Sequence, residues 1–146
     1  MAYTEMRIVA ETKTAHVNNV ALFDYLDEAR KKWYHYSILN GVESVVVHIG
    51  INYKREVFNQ NKLVVRTTLA RVGNTSYTLN QTIVNHLEEL VVSAEVVLTT
   101  INRQTRTKVK VPQGIRSLLD QEILVDFDKM IAKGNPAEIE SGKNRN

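Results

Sequence analysis

One stretch of this chain repeats its apolar residues at helical spacing over several turns, and four long segments after it repeat them at strand spacing. In NVALFDYLDEARKKWYHYSILNG, residues 19–41, Leu22, Leu26, Ala29, Trp33 and Tyr36 recur at intervals of four and three. Asp24, Asp27, Glu28, Lys31, Lys32 and His35 occupy the opposite side. Asn18 or Asn19 can accept from the first-turn amides, and Gly41 can take the left-handed backbone that closes the far end. Asp27 with Lys31 and Glu28 with Lys32 are acid-first pairs four apart, each worth roughly 0.3 kcal/mol on an exposed face. Such pairs tune a helix. Burial of its apolar stripe is what holds it, and a lone amphipathic helix needs a surface to lie on.

That surface is a sheet. VVVHIGINY (45–53), LVVRTTLARV (63–72), SYTLNQTIV (76–84) and LVVSAEVVLTTI (90–101) are rich in β-branched residues and alternate in side. Residues 4–9 supply a first strand. The separators are short and polar, which suits antiparallel neighbours rather than helical crossovers. RQTRTKVK (103–110) reads as a charged turn and strand end, and Pro112 with Gly114 closes the sheet. Residues 115–132 allow one or two short helices. Residues 134–146, GNPAEIESGKNRN, have almost nothing to bury and are expected to fray. The expected class is α+β: a single domain over 1–133, with a five-stranded antiparallel sheet around one long helix. Five to seven large side chains at about 1.5–3 kcal/mol each make that burial the main source of stability. The other sheet face also carries Val, Leu and Ile, so part of it is expected to pair with another subunit.

A length of 146 residues with 43% hydrophobic and 24% charged content fits one soluble domain and no second. With no cysteine there is no disulfide framework, thiolate nucleophile or cysteine-ligated metal. No leader and no long apolar run are apparent, so cytoplasmic residence without a membrane partner is expected. The formal charge of +3 favours anionic partners. Lys and Arg are scattered beside Asp and Glu without interleaved aromatics, which argues against nucleic acid. His35, His48 and His86 have no ligand spacing, so no metal is expected. Nucleophile-elbow, phosphate-loop and dinucleotide glycine patterns are missing too.

The polar junction TKTAHVNNV (12–20) enters the helix and places a histidine beside two asparagines. TAHVNNVALFDYLDEAR is similar to the helix entry of hotdog-fold thioesterases of the 4-hydroxybenzoyl-CoA and acyl-ACP branch. INYKRE (51–56), ARVGNTS (70–76), the strand ending TTINRQT and KVKVP resemble further landmarks of that branch in the same order. The resemblance covers roughly residues 4–120 and implies a hotdog fold. It also implies a homodimer with sheets joined edge to edge, often doubled to a homotetramer, with an acyl-CoA or acyl carrier protein substrate between subunits. Coenzyme A would be part of the substrate, with no separate cofactor.

Thioester hydrolysis needs a polarised carbonyl and an activated water. Free amides at the start of the helix suit the first need, and the resemblance assigns it to the amide of Asn19. Many relatives carry an aspartate just before the helix; here Thr12 stands in its place, with Ala15 at the companion glycine. The acyl-ACP pattern DxNxHVNN with YRRE aligns Thr12, Thr14 and His16 on its polar positions and keeps its glutamate as Glu56. A threonine hydroxyl holds its proton too tightly to serve as a base, so His16 is the expected base or water-orienting group and Glu56 its companion. Thr12 remains a candidate through its position, and Asn18 and Thr14 are candidate substrate contacts. Arg71 and Arg103, with Arg106 and Lys108, could meet CoA phosphates. Each has an ordinary reading beside the functional one: His16 bonded to a loop carbonyl, Glu56 paired with Lys54 or Arg55, the asparagines as caps, the cations as solvated turn residues. Glu11 is a fallback acid, and Glu28 reads as a surface residue. Besides hydrolysis, the chain could be a non-hydrolytic acyl-CoA or acyl-ACP binding module, or a hotdog hydratase or dehydratase.

Overall fold

The computed structural model describes residues 1–132. The frayed tail expected for 134–146, and the domain end at 133, lie outside the described residues. Five strands, β1 (Tyr3–Val9), β2 (Glu43–Tyr53), β3 (Lys62–Val72), β4 (Ser76–Val84) and β5 (Leu90–Ile101), form one antiparallel sheet in the order β1-β3-β4-β5-β2. β2 begins two residues before its apolar alternation, because Glu43 and Ser44 pair with Ile101 and Thr100. Helix α1 (Asn19–Leu39) lies on one face, and two short helices, α2 (Gln113–Arg116) and α3 (Phe127–Ala132), follow β5.

Cross-strand register puts Leu69, Leu79, Val96 and Ile49 in one row facing the helix, and Thr67, Gln81, Ala94 and Ile51 in the next. All five apolar residues expected on the helix stripe are buried. The outer face mixes apolar and polar rows. Its middle row reads Glu5, Arg66, Thr82, Ser93 and Asn52, so the sheet presents polar groups there instead of a broad apolar surface for a second subunit. Leu63, Val65 and Leu69 of β3 and Leu79 and Ile83 of β4 are used on the inner face, while Val64 and Val84 point outward.

The interior is two apolar clusters. One gathers Trp33, Tyr36, Leu69, Leu79 and Leu98, with Phe127 stacked on Tyr36 at 4.5 Å and edge-on to Trp33 at 4.9 Å. The other gathers Leu22, Leu26, Val65, Ile83 and Val92. Between them runs a polar seam. Arg30, only 2% exposed, donates through Nε to the Tyr34 hydroxyl (2.7 Å), and through its two terminal nitrogens to Gln81 Oε1 (2.8 Å) and Asp27 Oδ1 (3.3 Å). Gln81 Nε2 in turn donates to the Leu26 carbonyl and Thr67 Oγ1, both at 3.0 Å. A buried guanidinium is tolerable because each of its three nitrogens has an acceptor. The helical spacing alone put Arg30 on neither face.

The expected acid-first pairs are replaced. Lys31 turns back to Glu28 at 2.6 Å, Lys32 reaches Asp128 at the start of α3, and Asp27 serves Arg30. The helix ends as anticipated: Gly41 adopts φ 85°, and its amide and that of Val42 close on Ile38 and Ser37. No helix of the described residues is long and apolar enough to cross a membrane.

Removing the guanidinium by Arg30→Ala leaves the buried Gln81 Oε1 without its donor and is expected to cost about 3 kcal/mol in urea unfolding. Arg30→Met combined with Gln81→Leu should recover at least half of that loss, because it removes the guanidinium and its buried amide partner together.

Candidate active site

The helix entry and the end of β2 are far apart in sequence and are fastened together by backbone. The Ala10 amide donates to the Asn61 carbonyl (2.9 Å), the Gln60 amide to the Ala10 carbonyl (2.6 Å), and the Val17 amide to the Val57 carbonyl (2.7 Å). The Thr12 amide adds a bond to Asn59 Oδ1 at 2.9 Å. Val17 and Val57 are both buried, 3% and 1% exposed, and each sits beside a residue with chemistry, His16 and Glu56, which stay exposed. In extended chain neighbouring side chains point opposite ways, so anchoring the valines inward turns the histidine and the glutamate outward.

Both face one cavity of about 340 Å³. Its helix side is His16, Asn18, Asn19 and Leu22; its strand side is Tyr53, Lys54, Arg55 and Glu56. Asn18 is the cap of α1, its Oδ1 accepting from the Ala21 amide at 2.9 Å and its carbonyl from Leu22 at 3.2 Å. Val17 and Leu22 share the lower core cluster, the apolar pair that often brackets such a cap. Among the described residues no acceptor meets the amides of Asn19 and Val20. These two N–H groups, with the positive end of a 21-residue helix behind them, are ready donors to an oxyanion.

Arg55 pairs with Glu89 at 3.4 Å and not with Glu56, whose carboxylate has no ion-pair partner among the described residues. Thr12 and Thr14 lie outside the cavity lining. Their hydroxyls meet at 2.8 Å, and Thr14 Oγ1 donates to the His16 carbonyl at 2.8 Å, so they brace the loop that carries the imidazole. Glu11 is exposed and outside the lining, and Glu28 is engaged with Lys31. Arg71, near the end of β3, and Arg103, beyond β5, sit at the other end of the sheet, about 30 Å away along strands of 11 and 12 residues. A single chain does not bring them to the cavity. Tyr53 was missed: its hydroxyl lies 3.4 Å from the Asn19 carbonyl at the cavity wall. The only hint in the sequence is its place as first letter of YKRE. Among the described residues no group of three His, Asp or Glu converges as a metal site would require.

The sequence pattern of the thioesterase-like superfamily matches residues 13–119, most of the chain and all the strands after the helix. The chain belongs to that superfamily. No curated protein matches it in sequence. Among solved structures it is similar to a predicted thioesterase from Bacillus stearothermophilus, with a TM-score of 0.73 at 17% identity, covering 85% of this chain and 98% of the other. It is also similar to Slr0204, a 1,4-dihydroxy-2-naphthoyl-CoA thioesterase from Synechocystis (TM-score 0.69, 14% identity, 82% and 97% covered). SAV2348 from Staphylococcus aureus, solved in complex with CoA, gives a TM-score of 0.71 at 10% identity over 85% and 88%. The fold is the hotdog fold of this superfamily, a sheet curved around one central helix.

The Asn18 cap should be measurable apart from any activity. Asn18→Ala is expected to lower stability by about 1 kcal/mol in thermal or urea unfolding, and Asn18→Asp or Asn18→Ser to restore most of it.

Proposed function

We propose that this chain hydrolyses an acyl-CoA thioester to carboxylate and free thiol. The observation that supports it best is the convergence on one cavity of Asn19, whose amide is uncommitted, with His16 and the unpaired carboxylate of Glu56. The thioester oxygen lies at the helix tip, where the amides stabilise the negative charge that grows as water adds to the carbonyl carbon. His16 takes the proton from that water and returns it to the departing thiolate, while Glu56 orients the water or the imidazole. Thr12 and Thr14 hold the His16 loop in place. The reaction asks for no cofactor beyond the coenzyme A of the substrate, and an acyl carrier protein is the alternative carrier.

The active unit in this reading is a homodimer, doubled or not to a tetramer, and resides in the cytoplasm. One edge supports it. The start of β1 is covered by residues 123–125, through Tyr3 to the Ile123 carbonyl and Val125 to the Tyr3 carbonyl, whereas β2 leaves one full edge without a strand among the described residues. Long bare edges invite pairing. Val47, Tyr53, Phe23 and Val20, exposed by 40% or more along β2 and the helix tip, would be covered by that pairing.

A second reading is a binding module that holds acyl-CoA without cleaving it. It draws on Thr12, whose hydroxyl is turned into the loop where many relatives carry a carboxylate.

Thiol release from a panel of acyl-CoA esters should give turnover, with His16→Ala lowering kcat/KM by about a hundredfold and Glu56→Gln by about tenfold. Saturable binding with no thiol release across the panel would replace the hydrolase by the binding module. Hydration of an enoyl-CoA with the thioester intact would replace both.

A further inference from the structure

The loop from Ala10 to Val17, which carries His16 into the first turn of α1, is buried at its two ends and exposed or half-buried between them. Backbone bonds tie both ends to residues 57–61, Ala10 to Gln60 and Asn61, Val17 to Val57. Between those ties, among the described residues, a single side chain from elsewhere in the chain bonds to residues 11–16. It is Asn59, whose Oδ1 accepts from the Thr12 amide at 2.9 Å. The turn that presents Asn59 holds some strain. Gln60 has a left-handed backbone at φ 68°, uncommon for a residue with a long side chain, and its amide then reaches the Ala10 carbonyl at 2.6 Å. Asn61 Oδ1 closes the same turn by accepting from the Phe58 amide at 2.9 Å.

From Asn59 the contacts run in one direction. Thr14 Oγ1 gives its only proton to the His16 carbonyl (2.8 Å), so in the 2.8 Å contact between the two hydroxyls Thr12 donates and Thr14 accepts. Thr12 Oγ1 in turn accepts from the Thr14 amide at 3.2 Å. Hydrogen bonds in such a series polarise one another, and this series ends on the carbonyl of His16. Across the same peptide bond, the Val17 amide is held by the Val57 carbonyl at 2.7 Å. One planar unit, His16 to Val17, is therefore gripped at both edges, directly by Val57 and through two threonines by Asn59. Fixing that plane narrows the directions in which the imidazole can leave the backbone. Both grips come from the five residues that follow Glu56, so one short turn aims the histidine and the glutamate together.

We infer that Asn59 is a positioning residue for this site, acting on His16 through the Thr12–Thr14 relay and touching no substrate itself. The inference rests on the thioesterase reading of the helix tip and deepens it. Asn59 and both threonines lie outside the cavity lining, so their effect on the reaction runs through the backbone of His16. Proton transfer needs the base in contact with its water, and a misplacement of about 1 Å can cost about a hundredfold in rate. A loosened loop thus lowers turnover while the contacts that bind substrate stay as they were. The loss is smaller than that from removing the imidazole, because Val57 still holds one edge of the peptide plane.

In thiol release, Asn59→Ala should lower kcat about tenfold with KM nearly unchanged, and Asn59→Asp, which keeps the acceptor oxygen, should recover most of the loss. Thr14→Val should give a similar loss, and the two changes together should be no worse than either alone, as links in one series require. Losses that multiply to about a hundredfold in the double variant overturn the inference. A lower unfolding temperature for Asn59→Ala with kcat intact overturns it too, since the side chain is then a structural brace only. A readout that needs no turnover keeps the two readings apart. In the full chain, Asn59→Ala should speed hydrogen exchange at the Thr12 amide about tenfold and shift the NMR signals of the His16 imidazole, and Thr14→Val should shift the same imidazole signals. If no thioester is cleaved, the hydrolase reading fails while the imidazole signals still decide the relay. Signals that Asn59→Ala leaves unmoved overturn it, whatever the catalytic result.

Discussion

Everything about the site follows from one obligation, the burial of the Leu22–Leu26–Ala29–Trp33–Tyr36 stripe against a single sheet. With one long helix and one apolar sheet face there is one way to satisfy both. Doing so carries the start of α1 to the end of β2, where backbone bonds from Val17 to Val57 and from Ala10 to Asn61 seal the junction. The amides that would grip a thioester are therefore placed by core packing several turns away.

The fold could be read from the sequence because its signals are local and repeated. Strands 76–84 and 90–101 have the bounds their alternation gives, and the others differ by one or two residues at the start, where pairing partners decide. Part of the site was legible for a different reason. HVNN and YKRE are compact motifs, so His16, Asn19 and Glu56 stand out, and the structure gathers them around one cavity. What was not legible depends on distance in three dimensions. Arg71 and Arg103 look like phosphate ligands by charge, yet strand direction sends them to the other end of the sheet. Thr12 was a candidate through its position, but its hydroxyl is occupied with Thr14, a fact only the loop geometry reveals.

The faces of the sheet divide the labour of the molecule. The inner face is spent on the helix. The outer face is polar through its middle row, Glu5 to Asn52, and offers little hydrophobic area to a partner. The rims differ: the β1 rim is partly closed by residues 123–125, and the β2 rim, which no strand covers among the described residues, sits beside the catalytic candidates. An edge-paired second copy would thus also roof the cavity and thin the water around it, which strengthens the field of the helix tip.

The Arg30 seam has a further meaning. Apolar side chains can slide past one another with little penalty for small displacements, whereas a guanidinium that Tyr34 and Asp27 hold on its own helix and that reaches Gln81 on β4 sets one angle and one height of the helix on the sheet. It works as a dowel between helix and sheet. Slipping α1 by one residue would rotate it by about 100° and draw Leu22 out of its socket, and the dowel forbids this from about 16 Å along the helix axis. A side chain that touches nothing reactive thereby sets the aim of the amides at Asn19 and Val20.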